Sequence, residues 1–274
     1  MRSTSGTFPA KDGTPLYWQH WEPDRSPRAT VCLIHGHGEH VGRYEHVAQA
    51  LIAAQVSLLG CDLHGHGRSG GPRGHAPSFA HILDDVDRLL EKADRSYPIF
   101  LYGHSMGASV IVAYVVDRSP ELRGAVLTGP WFRLRQRVTP GKVQLARLLA
   151  RVLPGFTMGS GLYVQGLSRD PEVVRKYVSD PLVHDRISAV VGHSLILAGE
   201  SALRRAPEFR LPVLLMHGQA DPVTDPSATR LFFDRAGSED KTLRLWPELF
   251  HEIHNEPEKN QVLEVMVDWV RSHF

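Results

Sequence analysis

The chain has 274 residues, of which 42% are hydrophobic, and its 31 Lys+Arg against 30 Asp+Glu leave a formal charge of +1. Such a chain can bury a large core, and one domain carrying an inserted subdomain fits the length at least as well as two domains. The charge balance excludes an overall field that would gather nucleic acid or another polyanion, so a charged partner would have to meet a local patch.

The opening residues, MRSTSGTFPAKDG, contain no apolar signal-like core, and the longest apolar run, Val110 to Val116, falls far short of the roughly 20 residues a membrane span needs. Neither secretion nor a membrane span is expected. Cys32 and Cys61 are the two cysteines, each inside an apolar strand-like run, where a thiol serves as a small buried hydrophobe. A reducing, cytoplasmic setting follows.

Short apolar runs then alternate with helical patterns. Thr30 to Ile34 precedes a helix over Tyr44 to Gln55, Val56 to Gly60 precedes Ser78 to Ala93, and Ile99 to Tyr102 precedes Met106 to Asp117. Gly124 to Thr128 leads into a long irregular stretch, after which the alternation resumes with Val213 to His217, Pro226 to Ala236, Thr242 to Trp246 and Pro257 to His273. The pattern predicts an α/β fold with a mostly parallel central sheet covered by helices on both faces. Its core would comprise residues 1–129 and 207–274, with an inserted cap over 130–206.

In such sheets ligands bind at the carboxyl ends of the strands. There lie His35-Gly36-His37-Gly38, Asp62-Leu63-His64-Gly65 and Ser105, followed later by Asp221 and His251. Ser105 stands in Gly103-His104-Ser105-Met106-Gly107, a Gly-x-Ser-x-Gly pattern that between strand and helix makes a tight turn exposing the hydroxyl. The pattern alone is weak, because Gly67-Arg68-Ser69-Gly70-Gly71 also fits it. That second match has no strand directly before it and Pro72 directly after. Gly192-His193-Ser194 lacks the final glycine. Context selects Ser105 over an ordinary helix-capping serine.

A serine nucleophile needs a base, and the base needs an acid to fix its tautomer; the chain order on this type of fold is serine, acid, histidine. Asp221 follows the strand Val213 to His217 closely, whereas Asp225 precedes Pro226 and a helical run as an N-cap would. Asp221 is therefore the predicted acid. His251 and His254 are three residues apart, and spacing alone leaves the choice of base between them open.

Together these blocks resemble the α/β-hydrolase superfamily, and within it the monoglyceride lipase and lysophospholipase family (serine aminopeptidase S33-like). The resemblance rests on His35 to His40 with Gly42-Arg43-Tyr44, on Asp62 to Ser69 and on the Ser105 motif. LSRDPEVVRKYVSDPLVH from Leu167 to His184, His217 to Asp221, and Phe250-His251-Glu252 complete it. It implies an α/β-hydrolase fold with a helical cap, a catalytic triad of Ser105, Asp221 and His251, and an oxyanion hole from the backbone N–H groups of His37 and Met106. It further implies head-group contacts from Glu39, Arg43 and His254, against which stands a Glu–Arg ion pair that merely braces the loop. His37 departs from the small residue many relatives carry there, and a bulky ring could narrow the acyl entrance.

The implied activity is carboxylic ester hydrolysis, foremost as a monoacylglycerol lipase. Lysophospholipase, general carboxylesterase or thioesterase are the alternatives, and a non-catalytic binding protein of the same fold is the alternative of another class. No cofactor and no metal are expected. HGHGEH resembles a zinc-binding HxHxDH motif, but with Glu39 in the aspartate's place, and that reading leaves the other blocks unexplained. The partner expected is a small lipid ester, not nucleic acid. The cap begins WFRLRQRVTPGKVQLARLLARVL, with six basic residues and no acidic one. Val143, Ala146, Leu149 and Val152 or Leu153 recur at helical spacing. Two readings compete: a helix packed on the core with solvated arginines, and a helix lying on a membrane or micelle surface.

Overall fold

Three apolar runs, Ala29–Ile34, Val56–Cys61 and Ile99–His104, are buried at every position, as strands must be when a parallel sheet is covered on both faces. The computed structural model describes residues 1–136 and 138–274. In chain order its elements are β1 (Arg2–Pro9), β2 (Pro15–Glu22), β3 (Ala29–Ile34), α1 (Glu45–Ala53), β4 (Val56–Cys61) and α2 (Phe79–Lys92). There follow β5 (Ile99–His104), α3 (Met106–Arg118), β6 (Gly124–Thr128), α4 (Pro140–Val152), β7 (Thr157–Gly159), α5 (Pro171–Ser179) and β8 (Arg186–Ser188). The chain ends with α6 (Ala189–Arg205), β9 (Val213–Gly218), α7 (Pro226–Arg235), β10 (Lys241–Trp246) and α8 (Lys259–Arg271).

Eight strands form one sheet in the order β1-β2-β4-β3-β5-β6-β9-β10. From β4 to β10 every pairing is parallel, while β1 and β2 pair antiparallel with each other and β2 antiparallel with β4. Alternate residues of each strand feed two apolar clusters. Cys32, Ile34 and Leu101 pack with α2 and α3 on one face, and Val31, Leu33 and Phe100 with α1 and α8 on the other. Helix α2 buries Ile82, Leu83, Val86, Leu89 and Leu90, an i, i+1, i+4, i+7, i+8 stripe that fits one helical face. Both cysteines are free and buried, and burial pushes the Cys32 thiol up to about 12, so it packs as a hydrophobe.

The chain winds from β3 outward to β4 and then returns to β5 on β3's other side. That reversal opens a crevice between the carboxyl ends of β3 and β5, where Ile34 pairs with Gly103. The HGHG loop and Ser105 are thereby neighbours.

Two features of the fold go beyond the predicted elements. The N-terminal hairpin turns at Gly13, at φ 87°, a value glycine adopts without strain. And the stretch after β6 is largely helical: α4, the small antiparallel pair β7/β8, α5 and α6. Helix α6 places Val191, Leu195, Ala202 and Leu203 in the same apolar cluster as β5 and α3. Helix α4 has no buried residue; Val143, Ala146 and Leu149 are half-buried, whereas Val152 and Leu153, expected to extend that stripe, are exposed together with Leu145 and Leu148. Arg137, one of the six basic residues counted in this stretch, lies outside the described residues.

Candidate active site

Ser105 sits between β5 and α3 at φ 52°, ψ −113°. A non-glycine residue at positive φ costs about 1–3 kcal/mol and persists only where its surroundings hold it. Here Ser105 N–H donates to the Thr128 carbonyl at 3.0 Å, and the Ser105 carbonyl accepts from Trp131 N–H at 3.0 Å and Ala108 N–H at 3.2 Å. The flanking glycines answer to close approach. A Cβ on Gly107 would lie 2.0 Å from the Ile34 carbonyl oxygen, and one on Gly103 2.8 Å from the Ala108 backbone. The competing serines are elsewhere: Ser69 spends its hydroxyl on the Asp62 carbonyl and the Tyr17 N–H, and Ser194 lies within α6.

Ser105 Oγ is 3.0 Å from His251 Nε2, and His251 Nδ1 is 2.8 Å from Asp221 Oδ2. Nδ1 faces a carboxylate and so carries the proton, which leaves the Nε2 lone pair toward the serine. All three residues are nearly inaccessible to solvent. His254 is not brought into this line. Its ring stacks on Tyr44, centroids 5.0 Å apart, and edges onto His104 at 4.8 Å, with neither ring nitrogen hydrogen-bonded among the described residues.

The two aspartates have different partners. Asp225 caps α7, accepting from Ser227 N–H at 2.9 Å. Asp221 accepts at Oδ1 from Val223 N–H and Thr224 N–H, and at Oδ2 from His251, His217 Nε2 and Thr224 Oγ1. Burial alone would raise the Asp221 pKa, but His251 and His217 beside it hold the carboxyl well below its usual range. For His251 burial works to lower the pKa, and Asp221 outweighs it, with Glu252 and Glu39 adding to the rise above 6.5. His217 and Thr224 are two polar partners that sequence reasoning left unassigned. The available signal was their nearness to Asp221, four residues before and three after.

Across the crevice, a Cβ on Gly36 would lie 3.4 Å from Ser105 Cβ, so the HGHG loop passes directly over the serine. Met106 is the first residue of α3, and its N–H belongs to the helix-terminal amides that no intrahelical carbonyl accepts. The loop is braced from below. Glu39 Oε1 accepts from Gly36 N–H and Tyr44 O–H, each at 2.7 Å, and Oε2 accepts from Arg43 at 2.6 Å. Arg43 also grips Glu252 bidentately at 2.7 Å, and holds that buried carboxyl down to about 2 against the burial that would raise it. Glu39 is only 2% exposed. Of the three residues expected at the head group, Glu39 and Arg43 form an ion pair with each other and His254 stacks on Tyr44.

The His37 ring reaches β8, its Nε2 3.1 Å from the Arg186 carbonyl, and packs against the rings of His66 and His184. The zinc-like motif is not assembled as one ligand set. His35 bonds the Gly36 carbonyl and Leu63 N–H, while His40 bonds Asp180. Among the described residues no group of three or more His, Cys, Asp and Glu is arranged to hold a metal ion. In the second histidine-glycine loop, His64 pairs with Asp85 and His66 bonds the His64 carbonyl.

The sequence matches the family described as serine aminopeptidase S33 (Hydrolase_4) over residues 25–258. It is 37% identical to a monoacylglycerol lipase of Mycolicibacterium smegmatis over 98% of this chain and 97% of that protein. In structure it is similar to the monoacylglycerol lipase of Paleococcus ferrophilus, with a TM-score of 0.86, 33% identity and full coverage of both chains. A soluble variant of the monoglyceride lipase of Saccharomyces cerevisiae, solved with a substrate analogue, superposes with a TM-score of 0.88 at 25% identity, covering 98% of this chain and 94% of that one.

Proposed function

The chain belongs to the serine aminopeptidase S33 family, and from that premise we propose that it cleaves monoacylglycerols through an acyl-enzyme formed on Ser105. It is a carboxylic ester hydrolase. The observation that carries the mechanism is the unbroken line from Ser105 Oγ to His251 to Asp221, at 3.0 and 2.8 Å.

The steps follow from which atoms can take protons. His251 Nε2 accepts the Ser105 hydroxyl proton as Oγ attacks the ester carbonyl carbon, and the carbonyl oxygen becomes an oxyanion. The N–H groups of His37 and Met106 are the donors assigned to that oxygen in this reading, and one such donor typically contributes about 3–4 kcal/mol to the transition state. His251 then protonates the departing glycerol oxygen, leaving the acyl group on Ser105. Water replaces glycerol, gives a proton to His251 and attacks the acyl carbon. The same proton returns to Oγ as the fatty acid leaves. Asp221 stays ionised and stabilises the imidazolium in both halves.

A lipid ester also has to reach the crevice. Leu145, Leu148, Val152 and Phe156 are each about half exposed or more, on a stretch carrying Lys142, Arg147 and Arg151 and no acid. Apolar groups exposed in one place, interleaved with cations, suit the boundary of an anionic lipid surface. Transferring one such leucine out of water contributes about 1.5–3 kcal/mol. The reading is a peripheral contact, since among the described residues no helix is long and apolar enough to cross a membrane.

A substrate panel tests the reading, comparing monoacylglycerols of graded chain length with diacylglycerols and lysophospholipids, and using Ser105→Ala as the blank. Monoacylglycerols with medium or long chains should show the highest kcat/KM, and the variant none above background. Faster turnover of lysophospholipids would move the protein to phospholipid chemistry, and residual turnover by Ser105→Ala would remove the nucleophile assignment.

A further inference from the structure

The LSRDP block has no part in the mechanism above, yet the segment that carries it is hydrogen-bonded to the main chain of the base. Gly166 to Arg169 leads into α5 and lies alongside residues 250–256. His251 N–H donates to the Gly166 carbonyl at 3.3 Å, and Glu252 N–H to the Leu167 carbonyl at 2.8 Å. Ser168 Oγ donates to the Asn255 carbonyl at 3.1 Å. A Cβ on Gly166 would come within 2.4 Å of Pro222, so the same strap also presses on the residue next to Asp221.

What fastens the strap is a buried carboxylate. Glu256 is fully inaccessible to solvent. Its Oε1 accepts from Phe250 N–H at 2.9 Å on one side and from Arg169 N–H at 3.1 Å on the other, and its Oε2 accepts from Arg169 Nε at 2.8 Å. Arg169 also pairs with Glu258. The carboxylate therefore bridges the residue before His251 and the cap strap, and a buried carboxylate without its cation would be strongly disfavoured.

We infer that Arg169 is a positioning residue for the base: by clasping Glu256 it sets the main chain that carries His251, and so ties the cap to the reacting geometry. The inference rests on the triad reading of the preceding section. A displacement of about 1 Å at a reacting group can cost on the order of a hundredfold in rate. The Ser105 to His251 contact at 3.0 Å leaves little slack for such movement.

The full chain is assayed on a short soluble p-nitrophenyl ester, so that lipid access does not enter. Arg169→Ala should lower kcat by about ten- to a hundredfold with KM changed less than about twofold. The alkaline-rising limb of its pH profile should move toward lower pH as the His251 contact to Asp221 slackens, and the downfield His251 Nδ1–H resonance should broaden or shift. Arg169→Lys, which keeps the charge and loses the fork, should fall between. In a His251→Ala background, adding Arg169→Ala should have no further effect, because the two act through one group.

Wild-type kcat and an unmoved pH limb in a folded Arg169→Ala protein would overturn the inference. So would a loss that persists at full size without His251. If Arg169→Ala does not fold, Arg169→Lys and Glu256→Gln carry the same comparison, and unchanged kcat and pH limb in both would have the same meaning. Turnover surviving Ser105→Ala would instead sink the triad reading, whatever Arg169 does.

Discussion

The carboxyl edge of the sheet and the cap solve opposite problems. At the sheet edge the Ser105–His251–Asp221 line and the carboxylates beside it are buried and hydrogen-bonded. Asp221 accepts five hydrogen bonds, and the HGHG loop stands on the Glu39–Arg43–Glu252 network. In the cap, α4 buries no residue and leaves Leu145 and Leu148 more than half exposed. Satisfied buried networks fix geometry, whereas apolar side chains exposed together on one stretch suit a contact surface. Under the proposed function the first region carries the chemistry and the second the contact with lipid.

The largest effect that would break this division is at the acid. Asp221→Asn should reduce kcat/KM by about 10³- to 10⁴-fold, since the amide can hold the wrong imidazole tautomer, while Asp225→Asn should keep near-normal activity. Asparagine caps nearly as well as aspartate. The two variants, measured side by side on one soluble ester, test whether only the buried carboxylate belongs to the chemistry. A nearly unchanged rate in Asp221→Asn with the loss in Asp225→Asn would shift the acid to Asp225.

Next in size is the response to pH. His251 must be neutral to take the serine proton, and its pKa is raised above 6.5 because Asp221 outweighs the effect of burial. The kcat/KM of the wild type should therefore climb about tenfold per pH unit below a midpoint that lies above 6.5, then level off. Stability runs the other way for this group: a raised pKa favours the fold at pH below the unfolded value and that contribution is lost as pH rises through the folded one. A limb centred below 6.5 would show that the base is not held by Asp221.

How much of this could be read from the sequence differs by region for the same physical reason. Parallel strands buried on both faces produce unbroken apolar runs, so TVCLI, VSLLG and IFLY declared themselves, and the residues after them marked the crevice. The hairpin did not, because β1 is an edge strand exposed at most positions and carries no apolar alternation. Helix α6 shows an i, i+4, i+7, i+8, i+11 stripe from Val191 to Ala202, but Gly192 and Gly199 weaken it. The roles of Glu39 and Arg43 turn on Glu252, 209 positions from Arg43, and no local pattern carries a contact of that range. His217 and Thr224 went unassigned because their partner is set by how β9 and the following turn fold back on Asp221.

The smallest effect is the one that bears most on the cap. Leu145→Glu with Leu148→Glu places two acids on the exposed stripe of α4 and touches nothing buried. Exposed substitutions of this kind usually change stability by no more than about 0.5 kcal/mol, so the fold and the turnover of a short soluble ester should stay near wild type. On monoacylglycerol presented in anionic vesicles, the variant loses apolar contact and adds repulsion, so activity there should fall by several-fold to about tenfold. Raising the salt should narrow the gap by screening the charge part of the loss. Equal losses on both substrates would mean that α4 acts on the core and not on the lipid, and the two regions would then serve one rigid function.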